Sequence, residues 1–239
     1  MSKWSSFKKF LKEYDYNWKF KLLVCLPLFS ALVAIDWITK GIVVSTMTFG
    51  EKKQMWPGFL NLHYTINPGA AYGMNANNLA LAVSIATIVT ILMSLFFVFI
   101  NDRVWLVGIT ILLSGSWANL LGRAWAPTIP ATSGYPAIVG GVVDFLVWDF
   151  SFLGSSNYIF NIADLWVNIS VVYLIVVALP FTIVKYVKEA KAAKNIEADF
   201  DGRELLKQKL PENPDPKNKP TLKEKEGDLK NKTKKSKEG

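Results

Sequence analysis

The stretch LALAVSIATIVTILMSLFFVFI, residues 79–100, is the clearest indication of the fold: it is 22 residues long, largely apolar and without a charged residue. A helix needs about 20 consecutive apolar residues to cross the roughly 30 Å hydrocarbon core of a bilayer. Three other stretches, residues 22–44, 104–121 and 165–184, have a similar length and a similar apolar character. The pattern predicts an all-α membrane protein with four transmembrane helices.

The charges are concentrated at the two ends of the chain. Of its 27 Lys and Arg residues, six lie in residues 1–21 and sixteen in residues 185–239. Lys and Arg near the ends of spans favour the cytoplasmic side. We therefore expect a multi-pass membrane protein with both termini in the cytoplasm. The long connections, residues 45–78 and 122–164, would then lie outside.

This charge pattern also bears on nucleic-acid binding. The formal net charge of the 239 residues is +8. Because the positive charge flanks apolar spans, membrane topology explains it better than a nucleic-acid partner does. We expect no nucleic acid to bind.

Composition divides the chain into three regions. Residues 1–21 form a basic cytoplasmic lead, and residues 22–184 form the four-helix membrane domain. Residues 185–239 are rich in Lys, Glu, Asn and Pro, with few apolar residues after Leu210. Such a segment buries too little apolar surface to offset the entropy of ordering. We expect this cytoplasmic tail to be largely disordered.

The two outer connections contain strand-like runs. Apolar and polar residues roughly alternate over residues 59–67, which Pro68-Gly69 then ends. A second run covers residues 142–152. Alternation is typical of half-buried strands. The two runs predict a small extracytoplasmic β-sheet formed by the outer loops.

The Cys and His content argues against a metal site. The chain has one Cys, Cys25, and one His, His63. A zinc site needs several such ligands held together. We expect neither a metal nor another cofactor.

Two aspartates, Asp144 and Asp164, lie at the edges of apolar segments. A carboxylate near a bilayer is costly to keep ionised and usually has a function. Two carboxylates that meet can share a proton and activate water. The pair predicts aspartic-protease chemistry at the membrane surface.

Short motifs containing polar residues occur in order at the predicted outer ends of the spans. They are Asp36-Trp37-Ile38-Thr39-Lys40, Asn67-Pro68-Gly69-Ala70-Ala71-Tyr72-Gly73, Ala118-Asn119-Leu120-Leu121-Gly122-Arg123, Val142-Val143-Asp144-Phe145 and Phe160-Asn161-Ile162-Ala163-Asp164. Each is weak alone, but the ordered set resembles the lipoprotein signal peptidases, also called signal peptidase II.

The resemblance covers about residues 22–184 and implies a specific activity. Members of this family are four-helix membrane aspartic endopeptidases that cut prolipoproteins just before a diacylglyceryl-modified Cys. The resemblance implies a bacterial plasma membrane as the location and Asp144 and Asp164 as the catalytic residues. It also implies that no cofactor is needed, and that membrane lipid and globomycin-type inhibitors are partners.

The other motif residues suit supporting roles. The amides of Asn67, Asn119 and Asn161 suit binding of substrate backbone or positioning of the aspartates. The guanidinium of Arg123 suits a carbonyl or a lipid ester. Gly69 and the small side chains of Ala70 and Ala71 allow a peptide to approach closely.

Asp36 and Lys40 are four residues apart and share one helix face. A direct role in the site and simple neutralisation of two charges at the membrane edge both remain open from the sequence.

Two departures from the family pattern matter. Gly122 stands where the family usually has Asp, which removes a carboxylate that could orient Arg123 or an Asn. An apparent insertion, residues 126–136, suggests a loop that covers the site or adapts it to particular substrates.

Two alternatives remain open from the sequence. Gly122 is compatible with a non-catalytic relative that binds lipidated peptides. Asp36 and Lys40 are compatible with a small transporter or channel subunit, although transporters usually place polar groups near the bilayer midplane.

Overall fold

A computed structural model describes residues 3–69, 79–131, 137–151 and 158–209. By backbone contacts the chain divides into two units, Met1–Thr182 and Ile183–Gly239. Ala70, one of the predicted site residues, lies outside the described residues, as do residues 132–136 of the apparent insertion.

Helices make up most of the described chain. They are α1 (Lys3–Glu13), α2 (Trp18–Phe20), α3 (Leu26–Thr46), α4 (Leu79–Phe99), α5 (Arg103–Gly122), α6 (Ile162–Tyr173) and α7 (Leu179–Lys209). Single π-helical turns, Lys21–Cys25 and Leu174–Ala178, join α2 to α3 and α6 to α7 without a break.

Helix α5 lies at the centre of the bundle and packs against α3, α4 and α6. It starts at Asp102, whose carboxylate accepts hydrogen bonds from the backbone N–H groups of Val104 and Trp105 and so caps the helix. At Gly115 an added Cβ would lie 2.4 Å from the carbonyl oxygen of Ala163. The missing side chain thus allows α5 and α6 to approach closely.

Three helical segments are long and apolar enough to cross a membrane: Trp18–Thr46, Arg103–Gly122 and Ile162–Glu197. Within the described residues, the apolar part of α4 is shorter and covers Val83–Phe99. Three of the four predicted spans are therefore supported, and the fourth stays a prediction.

A four-stranded antiparallel sheet completes the fold, as the loop patterns predicted. Its strands are β1 (Lys52–Trp56), β2 (Leu60–Asn67), β3 (Val142–Trp148) and β4 (Ile159–Phe160), and they lie in the order β1-β2-β3-β4. Strand β3, predicted to reach residue 152, ends at Trp148.

A register shift between β2 and β3 lies beside a predicted site residue. Leu62 pairs with Leu146 and Thr65 pairs with Asp144, so β2 has two residues where β3 has one. Such a bulge re-aims the neighbouring side chains. It lies next to Asp144.

The sheet packs on the end of α3. Val43 and Met47 at that end join Tyr64 and Ile66 of β2, together with residues of β3, in one buried apolar cluster. Burial of this cluster fixes the sheet against the helix bundle. Strand β3 therefore reaches the helix ends that carry the other polar motifs.

Helix α7 continues to Lys209, through residues in which composition predicted little order. Lys, Glu and Ala have high helix propensity, and this local preference sustains a helix without a buried core. The remaining tail residues, 210–239, lie outside the described residues.

Candidate active site

Asp144 is held in the middle of the site by two amide groups. Its side chain on β3 is 3% exposed. The Nδ2 of Asn67 donates to its Oδ2 at 3.0 Å, and the Nδ2 of Asn161 donates to its Oδ1 at 2.6 Å. Both donors are neutral, so they orient the carboxylate without supplying a positive charge.

Asp164 lies in the first turn of α6, where it forms a capping box with Asn161. The side chain of Asn161 accepts from the backbone N–H of Asp164 at 3.1 Å, and the carboxylate of Asp164 accepts from the backbone N–H of Asn161 at 3.0 Å. The Nδ2 of Asn119 donates to the other carboxylate oxygen at 2.8 Å. Asp164 therefore starts the helix and also faces the site.

Asn161 connects the two aspartates. Its side-chain amide donates to Asp144 while its backbone N–H donates to Asp164, and the residue is fully buried. The same Nδ2 also donates to the Oδ1 of Asn119 at 3.0 Å. One residue thus sets the relative position of both carboxylates.

Asp36 and Lys40 form a fully buried ion pair at 2.7 Å. The ammonium of Lys40 also donates to the Oδ1 of Asn119 at 2.8 Å. The other oxygen of Asp36 accepts from the backbone N–H of Ala163 at 2.8 Å. The pair therefore joins α3 to α5 and α6, which is more than neutralisation of two charges at the membrane edge.

Arg123 fastens the loop after β2 to the segment before β3. Its guanidinium donates to the carbonyl oxygen of Gly69 at 2.7 Å and to that of Gly140 at 3.0 Å. The sequence suggested a carbonyl or a lipid ester as partner. In the structure these donors bind backbone carbonyls of the chain itself.

The substitution at Gly122 leaves the polar network intact. An added Cβ there would lie 3.8 Å from the Nζ of Lys40. Lys40 already has Asp36 and Asn119 as partners, and Arg123 has backbone partners. Within the described residues, no buried side-chain nitrogen or oxygen lacks a hydrogen bond.

Burial and charge favour a proton on the site. Burial, and next the negative charge of Asp164, raise the pKa of Asp144 to about 7. The hydrogen bonds from Asn67 and Asn161 and the charge of Lys40 oppose this rise. Near neutral pH the carboxyl group of Asp144 therefore exchanges between protonated and ionised forms, as acid–base catalysis requires.

A cavity of about 500 Å³ opens beside the two aspartates. Its wall combines the polar residues described above with apolar side chains. The apolar residues include Val89 of α4, Trp148 of β3, Phe160 of β4 and Leu165 of α6. A few polar groups in a mostly apolar wall are typical of a binding site for an apolar ligand.

Aromatic rings extend from this cavity to the surface. Trp148 lies 5.1 Å from Phe160 and 5.4 Å from Phe59, and Phe59 lies 4.8 Å from the exposed Trp56, measured between ring centroids. The row joins the cavity wall to the β1–β2 turn.

Comparison with known proteins agrees with this geometry. Residues 28–180 match the sequence profile of the family described as signal peptidase (SPase) II. The lipoprotein signal peptidase of Fusobacterium nucleatum is 32% identical over 170 residues, which cover 70% of this chain and 92% of the relative. That of a Staphylococcus aureus strain is 33% identical over 67% of this chain and 90% of the relative.

The chain belongs to the signal peptidase II family.

Two solved structures, both described as bacterial membrane enzymes, share the fold of this signal peptidase II chain. One is 29% identical, with a TM-score of 0.54, over 66% of this chain and 88% of its own. The other is 28% identical, with a TM-score of 0.52, over 65% of this chain and 92% of its own. The predicted resemblance is confirmed: the protein is a membrane protease with signal peptidase II function.

The structure brings most of the predicted site residues of this signal peptidase II into one network. Those in direct hydrogen-bond contact with another predicted site residue are Asp36, Lys40, Asn67, Gly69, Asn119, Arg123, Asp144, Asn161 and Asp164. Ala70 lies outside the described residues. Within them, no group of three or more His, Cys, Asp or Glu side chains is placed to hold a metal ion.

Sequence reasoning missed the apolar wall of the cavity. Trp148 is four residues after Asp144 on the same strand, and alternation places both on one face. That spacing could have identified Trp148. Val89 and Thr90 of α4 also line the cavity, but no local pattern in that uniformly apolar helix distinguishes them.

Proposed function

We propose that the chain is an aspartic endopeptidase that removes the signal peptide from diacylglyceryl-modified prolipoproteins by cutting just before the lipidated Cys. The observation that carries the proposal is the pair Asp144 and Asp164, bridged by Asn161 beside a largely apolar cavity. The names of the relatives support the substrate class.

The proposed catalysis uses one proton shared by the two aspartates. The ionised carboxylate takes a proton from water, and the water oxygen attacks the scissile carbonyl carbon. The protonated carboxyl group donates its proton to the carbonyl oxygen, which gives a tetrahedral diol. When the diol collapses, the C–N bond breaks, the first carboxyl group gives the proton it took from water to the leaving amine, and the second carboxylate accepts a proton from a diol hydroxyl, which restores the pair. Because the two groups are coupled, the proton belongs to the pair.

The supporting residues keep this geometry fixed. Asn67 and Asn161 orient Asp144, and Asn119 orients Asp164. Lys40 holds Asn119 through its side-chain oxygen. This fixes the amide so that its nitrogen faces Asp164. Preorganised donors of this kind lose little energy to rearrangement during the reaction.

Substrate contacts form the second part of the proposal. Gly69 lines the cavity and is held in place by Arg123 through its carbonyl oxygen. We expect Ala70, the next residue in the sequence, to contact the substrate. The apolar wall with Val89, Trp148 and Phe160 suits the side chains of a signal peptide or the acyl chains of the modified Cys. Membrane lipid and globomycin-type inhibitors are the other ligands we expect here.

The orientation in the membrane follows from charge. Three segments carry Lys or Arg close to the ends of spans: the residues before Leu22, the turn with Arg103 between α4 and α5, and the residues after Val184. Such residues favour the cytoplasmic side of the membrane. With α4 as a fourth span, residues 22–184 form the membrane domain, both termini lie in the cytoplasm, and the site faces outward. We expect residues 1–21 and 185–239 to flank this domain on the cytoplasmic side.

The two alternative functions receive less support. A non-catalytic binding protein was suggested by Gly122, yet the network around Lys40 and Arg123 has its partners without a carboxylate there. A transporter would place polar groups near the midplane. Here Asp36 and Lys40 belong to the hydrogen-bond network that holds the two aspartates, and Asp144 in that network lies in the sheet.

Cleavage of a diacylglyceryl-modified prolipoprotein by the purified chain in detergent tests the proposal. We expect the wild type to cut before the lipidated Cys, and Asp144→Asn and Asp164→Asn to lose activity by at least about a hundredfold, because each removes one acid–base group. The matched control is Asp149→Asn, which changes an exposed carboxylate five residues after Asp144 on the end of the same strand.

The control should cleave at the wild-type rate. Full activity of Asp144→Asn or of Asp164→Asn would exclude the dyad. An inactive wild type that still binds the lipidated substrate would favour the non-catalytic alternative.

A further inference from the structure

Helix α1 has two chemically distinct faces. Its apolar residues, Trp4, Phe7, Phe10 and Leu11, recur at spacings of three and four. The opposite face carries Lys9, Lys12 and Glu13, Lys8 lies at the border beside Trp4, and Lys3 at the start of the helix lies on the apolar side. At about 100° per residue, the four apolar side chains fall within one third of the helix circumference. The helix is short and strongly amphipathic, and it lies before the family match, which begins at residue 28.

The apolar face of α1 is open. Trp4 is 64% exposed, Phe7 50% and Phe10 51%, and no residue of the helix is buried. Trp4 and Phe7 stack with ring centroids 6.0 Å apart. A row of exposed aromatic rings on one helix face needs a covering surface.

The position of α1 along the chain restricts what covers it. Four residues, Tyr14 to Asn17, separate it from the membrane-crossing segment that starts at Trp18. Four extended residues span at most about 14 Å. The end of α1 therefore stays close to the end of a membrane span, at the opposite end of α3 from Lys40 and the site.

The connection bends the chain away from the direction of the span. Asn17 has a left-handed backbone with φ of 52°, a conformation that Asn tolerates better than most residues. The carboxylate of Asp15 accepts from its backbone N–H at 2.9 Å and stabilises the turn. Helix α1 is therefore not a continuation of the span. Tyr14, Tyr16 and Trp18 in and beside this turn are the residue types enriched at membrane–water interfaces.

The charge of α1 selects among lipids. Residues 3–13 contain four Lys and one Glu, a formal charge of +3. The ammonium of Lys8 lies 5.3 Å from the centre of the Trp4 ring, at the border between the two faces. Basic residues flanking an apolar face favour anionic headgroups over zwitterionic ones.

The turn after α1 is tied to the C-terminal end of α4. The hydroxyl of Tyr14 donates to the carbonyl of Phe99, the Nδ2 of Asn17 donates to that of Asn101 at 2.9 Å, and the Nζ of Lys21 donates to that of Val98 at 2.6 Å. The last carbonyls of a helix have no partner within the helix. The lead thus supplies donors at the end of α4, the helix that also lines the cavity.

We propose that α1 is an interfacial anchor that lies among the headgroups of the leaflet farthest from the catalytic site and binds anionic phospholipid. Its apolar face enters the acyl boundary and its lysines contact the headgroup charges. Through Tyr14, Asn17 and Lys21 the anchor sets the position of the α4–α5 turn relative to the bilayer surface. This goes beyond the protease activity and does not depend on it.

Site-directed spin labelling of the full chain tests the anchor. In a Cys25→Ala background, cysteines introduced as Phe7→Cys or Lys9→Cys place a label on the apolar or the polar face. The protein is reconstituted at high lipid-to-protein ratio into vesicles of phosphatidylcholine with phosphatidylglycerol or of phosphatidylcholine alone. Accessibility to oxygen and to a water-soluble nickel chelate is then measured for each label.

With anionic lipid we expect the label at position 7 to be accessible to oxygen and protected from nickel, and the label at position 9 to show the reverse. Without phosphatidylglycerol the difference in accessibility between positions 7 and 9 should be smaller. The protection of position 7 from nickel should also decrease when Lys3, Lys8, Lys9 and Lys12 are all replaced by Gln. Thermal unfolding in detergent checks that each variant is folded.

Two results would overturn the anchor. Equal nickel accessibility at both positions in anionic vesicles would place α1 in water. Protection of position 7 from both reagents would show that protein, such as a second copy of the chain, covers the apolar face.

Discussion

The site and its support contain two kinds of buried carboxylate with opposite surroundings. Asp36 accepts from the ammonium of Lys40 at 2.7 Å and from a backbone N–H. Asp144 accepts from two neutral side-chain amides, and burial together with Asp164 raises its pKa. An ammonium in direct contact balances the charge of a buried carboxylate, whereas neutral donors orient a carboxylate without balancing its charge. The comparison separates a fixed structural charge from a carboxyl group suited to acid–base chemistry.

The largest expected effect comes from breaking the structural pair. Asp36→Asn leaves the ammonium of Lys40 buried without a counter-charge. Removal of one partner of a buried ion pair costs about 3–5 kcal/mol of stability. Thermal or denaturant unfolding in detergent measures the loss. The matched control is Glu13→Gln, which breaks the exposed Lys9–Glu13 pair and should leave the unfolding midpoint almost unchanged.

A second variant distinguishes charge from shape. The double substitution Asp36→Leu with Lys40→Met removes both charges, so most of the lost stability should return. Activity should stay low, because Asn119 loses the ammonium that fixes its side chain. Unchanged stability of Asp36→Asn would show that water or another group neutralises Lys40, and the contrast between the two carboxylates would fail.

The next effect is the pH dependence of catalysis. In the proposed mechanism the pair works with one shared proton, and burial together with the charge of Asp164 raises the pKa of Asp144 to about 7. As pH rises through this value the proton is lost, both groups become carboxylates, and no acid remains. We therefore expect kcat/KM to fall about tenfold per pH unit above neutral pH. Initial rates of prolipoprotein cleavage from pH 5 to 9 measure this limb.

Asn67→Ala gives a second test of this pH dependence, because the side-chain amide of Asn67 donates to Asp144. The hydrogen bond from Asn67 favours the ionised form of Asp144 and lowers its pKa. Its removal raises that pKa, so the alkaline limb should move to higher pH while the maximum rate falls. Asp149→Asn serves again as the control and should keep the wild-type profile. A limb that stays in place in Asn67→Ala would assign the titration to another group.

The sequence predicted the elements that bilayer thickness and strand alternation determine. Apolar runs of about 20 residues marked the three supported spans, and alternation in the two long connections marked β2 and β3. Motif order placed Asp144, Asp164 and the three Asn residues in one site, and the structure puts them in contact.

The pairings between these side chains could not be predicted from local patterns. Asp36 and Ala163 are 127 positions apart and meet only because α3 and α6 pack together. The close approach of α5 and α6 depends on Gly115, whose small size has many possible reasons in a sequence. A carbonyl or a lipid ester was the expected partner of Arg123, and the folded loop supplies carbonyls at hydrogen-bond distance that no local pattern could identify.

The smallest expected effect comes from adding a carboxylate at position 122, next to the Asp36–Lys40 pair. In Gly122→Asp the new side chain starts 3.8 Å from the Nζ of Lys40 and competes with Asp36 for the ammonium. Lys40 and Asn119 already have their partners, so we expect stability to change by no more than about 1 kcal/mol and cleavage by less than tenfold. Gly122→Asn, which has the same size without the charge, separates electrostatics from crowding. A gain of more than tenfold in Gly122→Asp alone would show that one carboxylate is not enough to hold Lys40. The comparison between the structural ion pair and the two titrating aspartates would then have to include a further carboxylate, which this chain lacks at position 122.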